Sequence, residues 1–401
     1  MSANHLKEIN DLLERGVEKI YPSKTKLMEV LSNGKKIKLY CGFDPSAKSL
    51  HIGNAVLINK LAQFQALGHE VIFLIGDFTG MIGDPTDKSA VRKTLTREEV
   101  LENSNNYKEQ AGKFLSFKGD NKARVEYNSK WQDKLSFKDL IGLSSHFTVQ
   151  QMIQRDMFQE RLKQEKPIYL HEFLYPLAQG YDSVALDVDL EVGGNDQMFN
   201  MMAGRDLMKS LGKKEKFVLT LKLLADGEGN KMGKTTGNAL FLDVDPENMY
   251  GIIMSWPDSV IAVAFELCTK VSFDEVKLII KQLKDKKTNP RDLKMKLAKE
   301  ITKIVHGEKA AEEAREHFKA IIQNKEVPED LPTVIVDKRT DLFSAIVKYF
   351  SGKKSNSDVR RLFTGGGISL DGEKINDPQC LVKDNGIVKV GKRDWFRLRI
   401  N

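Results

Sequence analysis

The chain has 401 residues, of which 41% are hydrophobic and 30% are charged, with a formal net charge of +7. Because a single hydrophobic core stops growing at about 250–300 residues, this length predicts a soluble globular protein of more than one domain. No apolar run is long enough to cross a membrane. The acidic amphipathic start fits neither a secretory nor a mitochondrial leader. The three cysteines are far apart in the sequence and support neither a disulfide framework nor a zinc site. We therefore expect a cytoplasmic protein with reduced thiols, no membrane contact and no protein-bound metal.

The first clear structural pattern is a βαβ unit between residues 35 and 76. The segment KKIKLYCGF is rich in β-forming residues, AVLINKLAQFQAL has helical periodicity, and VIFLIG is typical of a buried strand. Such a unit predicts a parallel sheet flanked by helices, in which ligands bind at the carboxyl ends of the strands. Neither G-x-G-x-x-G nor G-x-x-x-x-G-K-[ST] follows the first strand, which argues against a dinucleotide-binding protein and a Walker-type NTPase.

The rest of the chain changes its pattern at several points. From about residue 120 the pattern is helical with weak strand signals, which predicts an insertion; a second α/β stretch follows, with a helix near His171–Leu186 and a strand near Val188–Val192. The predicted fold class is α/β: a Rossmann-like parallel sheet over residues 1–245 with an insertion at about 120–166, then a helical domain at 246–323, a linker at 324–337 and a small α+β domain at 338–401.

The excess positive charge lies at the carboxyl end. Residues 338–401 contain 14 Lys+Arg and 7 Asp+Glu, whereas the preceding 337 residues contain 49 of each. A small basic domain on a neutral body is typical of a module that binds a polyanion such as RNA. A basic surface that only improves solubility is the alternative.

A first candidate site lies between the first strand and the first helix of the βαβ unit, where residues 45–54 read PSAKSLHIGN. A helix start offers free N–H groups and a positive dipole end to ATP phosphates. His51 can donate hydrogen bonds to those phosphates, and Gly53 would let the adenine ring approach the backbone. A histidine in a loop is usually structural, so it is the position of this one after a strand that favours a functional role.

A second candidate site follows much later, at residues 231–235, with the sequence KMGKT. Lys231 and Lys234, with glycines around them, suit a mobile loop that closes over a triphosphate and neutralises charge on the leaving pyrophosphate. By itself such a segment is usually a lysine-rich surface loop. Together with H-x-G-x, in this order and on an α/β frame, it resembles the paired signatures of class I aminoacyl-tRNA synthetases.

A stripe of polar residues on one predicted helix indicates which amino acid the protein would bind. Tyr175, Gln179 and Asp182 are spaced i, i+4 and i+7 and therefore share one face of a predicted helix. Such a stripe often faces solvent. The segment that contains it and three others nevertheless resemble bacterial tyrosyl-tRNA synthetases: YPLAQGYD at 175–182, GGNDQ at 193–197, LYCGFDP at 39–45 and GDP at 83–85. The resemblance extends from about residue 35 to 245 and resumes in the tail.

The resemblance implies a role for each matching residue. Tyr40 and Asp182 would meet the phenol hydroxyl of tyrosine, one as donor and one as acceptor. The other tyrosine contacts would be Asp84, Tyr175 and Gln179 at the α-ammonium group and Gln197 at the carboxylate. The nucleotide site would comprise Cys41, Gly194 and Asp196 at the ATP ribose, with Gly42, Asp44, Ser46, His51, Gly53, Asn54 and Lys234 along the nucleotide. The catalytic group would be His51, Asn54, Lys231, Lys234 and Thr235, and Lys88 and Arg92 would be mobile basic residues.

Two departures from the family pattern are mild. Asn54 replaces a second histidine, and its amide can still donate to a phosphate. Residues 231–235 mix the variants K-M-S-K-S and K-F-G-K-T, and both lysines remain. The tail is similar to the small RNA-binding fold named after ribosomal protein S-four, whose phosphate-binding cations would be Lys353, Lys354, Arg360 and Arg361.

The resemblance therefore predicts a tyrosine–tRNA ligase. Such an enzyme activates L-tyrosine with ATP and Mg²⁺, releases pyrophosphate and transfers tyrosine to the 3′ end of tRNA(Tyr), and we expect a homodimer that makes contact through the segment around Phe147–Phe158. The alternatives are a tryptophanyl-tRNA synthetase, a small-molecule adenylyltransferase of the same superfamily, and an RNA-binding or splicing protein on the same scaffold. Tyr40, Asp182 and the tail argue against the first. The helical domain argues against the second, and the two lysines of the loop argue against the third.

Overall fold

A computed structural model describes residues 3–85, 95–226, 239–285, 288–320, 331–352, 354–391 and 394–401. The chain separates into two compact units, residues 1–311 and 312–401. Each unit contains its own sheet. The predicted α/β class, with a parallel sheet and a large helical content, is confirmed.

The larger unit is built on a six-stranded sheet. Its strands are β1 (Val17–Tyr21), β2 (Lys38–Phe43), β3 (Glu70–Ile75), β4 (Arg124–Tyr127), β5 (Leu190–Gly194) and β6 (Phe217–Leu221), in the order β1-β6-β5-β2-β3-β4. All neighbours are parallel except β1 and β6. Nearly every residue of β3 and β5 is buried, as expected of central strands in a parallel sheet that is covered on both faces.

Helices connect the strands of this sheet and follow it. Those up to residue 210 are α1 (Ala3–Glu14), α2 (Lys24–Ser32), α3 (Ile52–Ala66), α4 (Thr79–Ile82), α5 (Arg97–Ser104), α6 (Tyr107–Ala111), α7 (Ser129–Gln132), α8 (Phe137–Ser144), α9 (Val149–Ile153), α10 (Asp156–Lys163), α11 (Leu170–Leu186) and α12 (Met198–Ser210). The region after the sheet contains α13 (Pro246–Met254), α14 (Ile261–Cys268), α15 (Phe273–Lys284), α16 (Pro290–His306) and α17 (Glu308–Phe318). Short polar helices such as α5, α8 and α9 begin at capping boxes set by Thr96, Ser136 and Thr148, which satisfy N–H groups that a helix start otherwise leaves unpaired.

Among the described residues, no single helix is both long and apolar enough to cross a membrane. Pro246–Met254 and Asp258–Cys268 meet that test only as a pair, by length and composition, with a bend of 103° between them.

The smaller unit is an α+β fold around its own core. Its strands are β7 (Thr333–Val336), β8 (Ile368–Leu370), β9 (Glu373–Lys374), β10 (Gly386–Val390) and β11 (Asp394–Ile400), in the order β7-β11-β10-β8-β9, and its helices are α18 (Leu342–Phe350) and α19 (Asn356–Thr364). Ile346 of α18, Phe363 of α19 and Phe396 of β11 are fully buried in one hydrophobic cluster. Both helices therefore pack on the sheet through their apolar faces.

Three short strands lie where the sequence pattern did not predict them. β1 has no predicted counterpart. β4 pairs with β3 although it lies in the range 120–166, so the sheet extends into the predicted insertion and the helices begin only at α7. β7 pairs with β11 although it lies in the predicted linker. All three are edge strands of four or five residues, and an edge strand is buried on fewer sides and has a weaker hydrophobic pattern.

Candidate active site

Polar side chains follow the carboxyl ends of neighbouring parallel strands. Asp44 follows β2, Thr79 follows β3, Asn128 follows β4 and Gln197 follows β5. The sheet is extended from β2 through β3 to β4 on one side, and from β5 to β6 on the other. Where the direction of extension reverses, here between β2 and β5, the strand ends form a crevice that binds ligands.

His51 is the N-cap of α3 and is held by that helix. Its Nδ1 accepts a hydrogen bond from the Asn54 N–H at 3.3 Å, and the Asn54 side-chain oxygen accepts one from the His51 N–H at 3.0 Å. Because Nδ1 is an acceptor, the hydrogen of a neutral imidazole is on Nε2, which is the atom able to donate to a phosphate. A Cβ on Gly53 would lie 2.9 Å from the His51 ring, so the glycine leaves room for this ring as well as for a ligand.

The chain after residue 238 returns to the same place. The Ile52 N–H donates to the Leu240 oxygen at 2.8 Å, and the Leu242 N–H donates to the Leu50 oxygen at 2.9 Å. The chain that continues from the second motif is therefore anchored beside the first. The motif residues Lys231, Lys234 and Thr235 lie outside the described residues, as do Lys88, Arg92 and Lys353.

Asp182, on α11, is a buried carboxylate surrounded by hydrogen-bond donors. Trp131 Nε1 and Gln132 Nε2 donate to Oδ1 at 2.7 and 2.9 Å, and Asn128 Nδ2 donates to Oδ2 at 3.2 Å. Burial raises the pKa of Asp182 to about 7, although these three donors favour the ionised form. A carboxylate accepts about four hydrogen bonds, so one position remains for a ligand hydroxyl.

Tyr40, on β2, is fully buried, and its hydroxyl contacts a buried polar cluster. The hydroxyl is 2.9 Å from Ser183 Oγ. Lys216 Nζ donates to Ser183 Oγ at 2.8 Å and forms an ion pair with Glu191. Burial, with the charges of Glu191 and Asp182 nearby, raises the pKa of Tyr40 well above its usual range, so its phenol stays neutral. Ser183 thus lies at hydrogen-bond distance from the Tyr40 hydroxyl, Glu191 also interacts with that hydroxyl, and Asp182 acts on it through charge.

Tyr175, predicted to contact tyrosine, and Asp44, predicted to contact the nucleotide, are hydrogen-bonded to each other. The Tyr175 hydroxyl donates to Asp44 Oδ2 and the Thr79 hydroxyl donates to Asp44 Oδ1, both at 2.7 Å. A Cβ on Gly76 would come within 2.0 Å of Asp44 Oδ1, so the carboxylate needs the space that glycine leaves there. Burial and then Asp44 raise the pKa of Tyr175 well above its usual range.

Asp84 lies buried between an amide and a guanidinium group. Gln197 Nε2 donates to Oδ2 at 2.5 Å, and Arg155 is 3.6 Å from Oδ1. Within the described residues, Oδ1 has no hydrogen-bond partner. A buried carboxylate oxygen without a donor is unfavourable, so this atom is suited to receive a donor from a ligand. Gln179 donates its side-chain amide to Glu191 at 3.0 Å, and its amide oxygen can still accept a hydrogen bond.

The residues predicted along the nucleotide differ in exposure. Gly42, Ser46 and Asp196 are exposed at the strand ends. A Cβ on Gly194 would lie 2.5 Å from Asp196 Oδ1, which explains a glycine there. Cys41 is only 2% exposed, and burial raises the pKa of its thiol well above the usual range. Its side chain therefore lies in the core of the sheet. Over the described residues, no group of three or more His, Cys, Asp or Glu is placed to hold a metal ion.

The predicted cations of the smaller unit are partly engaged within that unit. Lys354 forms an ion pair with Asp394 at 3.1 Å, and Arg360 lies over the Phe343 ring at 5.5 Å. Arg361 pairs with Asp358, but its side chain is 74% exposed. Lys354 is half-buried, whereas Arg360 and Arg361 are both exposed and accessible to a polyanion.

The sequence patterns did not indicate six polar residues of this site, of which five are buried and Trp131 is partly buried. They are Asn128, Trp131, Gln132, Ser183, Glu191 and Lys216. The first three follow the unpredicted strand β4, and the others stand outside any motif. The sequence signal for them is limited to the weak strand pattern after residue 120, which places Asn128 directly after β4 once that strand is recognised.

The fold and site together define a class of enzyme. The structure combines a Rossmann-like sheet, a helix capped by His51 after β2 and buried polar side chains near the strand ends, as the resemblance to class I synthetases predicts. Residues 32–323 match the family described as tRNA synthetases class I (W and Y). The chain therefore belongs to the class I tRNA synthetases of the tryptophan and tyrosine group, and the predicted family is confirmed.

Known relatives are similar over nearly the whole chain. The tyrosine–tRNA ligase 2 of Clostridium acetobutylicum is 41% identical over 394 residues, which cover 97% of this chain and 98% of that protein. The tyrosine–tRNA ligase of Thermotoga maritima is 40% identical over 390 residues, 96% of each chain. A C-terminally truncated mitochondrial tyrosyl-tRNA synthetase from Coccidioides posadasii has a similar structure, with a TM-score of 0.63 and 26% identity over 77% of this chain and 91% of that one.

Proposed function

We propose that this chain is a tyrosine–tRNA ligase, which activates L-tyrosine with Mg²⁺-bound ATP and transfers it to the 3′ end of tRNA(Tyr). The observation that supports this substrate most directly is the buried pair of Tyr40 and Asp182. Asp182 has three fixed donors and one remaining acceptor position, and Tyr40 is a neutral phenol held by Ser183. A phenol hydroxyl both donates and accepts and so satisfies both groups, whereas a phenyl ring would leave buried polar atoms unpaired.

The polar atoms at the other end of the pocket suit the amino-acid head group. The α-ammonium group would donate to Asp84 Oδ1, which has no hydrogen-bond partner within the described residues. Tyr175 and Gln179, from the same face of α11, would complete its surroundings. Gln197, now bonded to Asp84, would turn to the substrate carboxylate. Arg155, 3.6 Å from Asp84 Oδ1, supplies a positive charge beside the Asp84 carboxylate.

The nucleotide would lie along the strand ends and the start of α3. The ribose would approach Gly194 and Asp196, with Cys41 contributing through its backbone because its thiol is buried. His51 Nε2 and the Asn54 amide would donate to the phosphates, and Lys231, Lys234 and Thr235 would close over the pyrophosphate.

The chemistry needs no covalent enzyme intermediate. The tyrosine carboxylate attacks the α-phosphorus, the bond to the bridging oxygen breaks, and pyrophosphate leaves with Mg²⁺. A ribose hydroxyl of the tRNA then attacks the carbonyl of the adenylate, and AMP leaves. Positioning and charge stabilisation supply the rate.

The remaining parts of the chain would serve tRNA binding and assembly. Residues 246–323 would contact the anticodon stem, and the basic unit from residue 338 would bind RNA phosphates in the cytoplasm. A homodimer would form through the helices after β4, where Phe137, Val149 and Leu170 are 77%, 69% and 77% exposed. Large apolar side chains that are this exposed are typical of a partner surface when they form one contiguous patch.

Pyrophosphate exchange into ATP, measured with each amino acid in turn, tests the proposal. L-Tyrosine should support exchange, and phenylalanine should be nearly silent because it leaves the remaining acceptor position of Asp182 without a donor. Exchange with tryptophan at the rate of tyrosine would contradict the assignment.

A further inference from the structure

A buried polar cluster adjoins the Tyr40 hydroxyl. Ser183 Oγ is 2.9 Å from the Tyr40 hydroxyl, 2.8 Å from Lys216 Nζ and 3.3 Å from a Glu191 oxygen. Tyr40, Ser183 and Lys216 have no exposed surface, and Glu191 is 2% exposed. These groups come from α11, β2, β5 and the residue before β6, so the fold brings together parts of the chain that are distant in sequence.

The surrounding backbone is shaped to hold this cluster. A Cβ on Gly204 of α12 would lie 2.7 Å from Lys216 Nζ and 2.9 Å from Ser183 Oγ. The same helix approaches α11 closely at Gly180, where an added Cβ would lie 3.2 Å from the Gly204 backbone. Replacing a buried ion pair with well-packed apolar residues is often neutral or stabilising, so the pair is poorly explained by stability alone.

The hydrogen atoms of the cluster can be counted. Lys216 can only donate and the Glu191 carboxylate can only accept, whereas Ser183 has one hydrogen and two lone pairs. Lys216 therefore occupies one lone pair of Ser183, and the single hydrogen of Ser183 can turn to Glu191 or to Tyr40. When it turns to Tyr40, the hydrogen of Tyr40 is released for a ligand, and Glu191 still accepts from Lys216 and from Gln179.

We propose that Ser183, held by the Glu191–Lys216 ion pair, is a positioning residue that directs the Tyr40 hydroxyl toward the phenol of the substrate. Tyr40 then donates to the phenol oxygen, and the phenol donates to Asp182. The network thereby sets part of the preference for tyrosine over phenylalanine. This inference rests on the proposed function.

Ser183→Ala tests the inference without leaving a charge unpaired, because Lys216 keeps Glu191. Without its donor, Tyr40 turns its hydrogen to Glu191 and no longer offers it to the substrate. In pyrophosphate exchange, kcat/KM for tyrosine should fall about twofold to tenfold, mostly through KM, as expected when a contact present in both ground and transition states is lost. The value for phenylalanine should not change. The matched control is Ser104→Ala, which removes another buried serine hydroxyl, bonded to the Leu101 oxygen at 2.9 Å.

Adding Ser183→Ala to a Tyr40→Phe variant distinguishes an effect that acts through the Tyr40 hydroxyl from a general disturbance of the structure. If Ser183 acts through the Tyr40 hydroxyl, adding Ser183→Ala to Tyr40→Phe should change neither kcat/KM value further. Two results would overturn the inference. The first is that Ser183→Ala lowers kcat/KM equally for tyrosine and phenylalanine, or leaves the ratio of the two values unchanged. The second is that Ser183→Ala has its full effect on kcat/KM even when Tyr40 is already replaced by Phe.

A second variant covers the case in which Ser183→Ala does not fold. Glu191→Gln combined with Lys216→Met removes both charges together, so neither is left buried alone. It should lower the preference for tyrosine in the same way, and an unchanged preference would refute the role of the ion pair. A wild-type chain without tyrosine-dependent exchange would instead refute the proposed function.

Discussion

Asp182→Asn is the most direct perturbation of the phenol contact. The substitution keeps the size of the side chain but replaces one oxygen with an amide NH₂. Trp131 and Gln132 donate to one oxygen of Asp182 and Asn128 donates to the other. In either orientation, the new NH₂ therefore faces at least one donor, and the charged acceptor of the phenol is lost.

The expected loss follows from the energy of a hydrogen bond to a charged group. Such a bond contributes about 1.5–3 kcal/mol, which corresponds to roughly a tenfold to hundredfold fall in kcat/KM for tyrosine. Phenylalanine does not use this contact, so its kcat/KM should fall far less. Pyrophosphate exchange with both amino acids measures the two values. Asp187→Asn is a suitable control, because Asp187 is exposed at the end of the same helix.

The pH dependence gives a second test of Asp182. Burial raises the pKa of this group from 3.8 to about 7 in the folded chain. KM for tyrosine should therefore fall as pH rises through about 7, because the ionised form accepts the phenol, and Asp182→Asn should remove this step.

The stability of the fold should decrease as pH rises, whereas the affinity for tyrosine should increase. A raised folded pKa stabilises the fold fully below about pH 4, and this contribution is lost as pH rises to about 7, at roughly 1.4 kcal/mol per pH unit. Urea unfolding of wild type and Asp182→Asn at pH 5 and pH 7 should show this difference. A tyrosine kcat/KM within twofold of wild type, or a wild-type KM that rises through pH 7, would refute the assignment of Asp182 as acceptor.

Three further outcomes are expected. Tyr40→Phe should weaken the use of tyrosine about tenfold at most, since a hydrogen bond to a neutral group contributes about 0.5–1.5 kcal/mol, and should lower discrimination against phenylalanine; unchanged discrimination in exchange assays would place Tyr40 away from the phenol. Ending the chain at residue 320 should preserve pyrophosphate exchange but lower tRNA charging and its dependence on salt; normal charging at physiological salt would argue against RNA binding by the tail. Lys234→Ala should lower the single-turnover rate of adenylate formation by about a hundredfold or more with a smaller effect on ATP affinity; a normal maximal rate with only a raised ATP requirement would show that this lysine merely holds the nucleotide.

The cut at residue 320 reflects where the sequence and the structure differ. The linker predicted at 324–337 includes Thr333–Val336, but these residues form β7, which pairs with β11 in the sheet of the smaller unit. Removing only the residues after this strand would leave it without its partner. The prolines and charges before the strand led to the prediction of a linker, whereas strand pairing depends on residues about 60 positions later, which a local pattern does not report.

The sequence by itself determined the βαβ unit, the position of His51 between its first strand and its helix, and the polar stripe of α11. These features depend on residues close together in the chain, and periodicity reports such local order directly. Residue identities in four short segments were then sufficient to predict the family, which the comparison with known proteins confirms.

Only the tertiary structure decided what surrounds the predicted tyrosine contacts. Asp182 is held by Trp131 and Gln132, which lie about 50 residues earlier in the chain, because the parallel sheet brings the end of β4 beside α11. The ion pair of Glu191 and Lys216 reaches Tyr40 through Ser183 for the same reason. Contacts of this kind are set by strand order and by helix packing. No spacing along the sequence encodes them, since the partners belong to elements whose positions are fixed only when the sheet has formed.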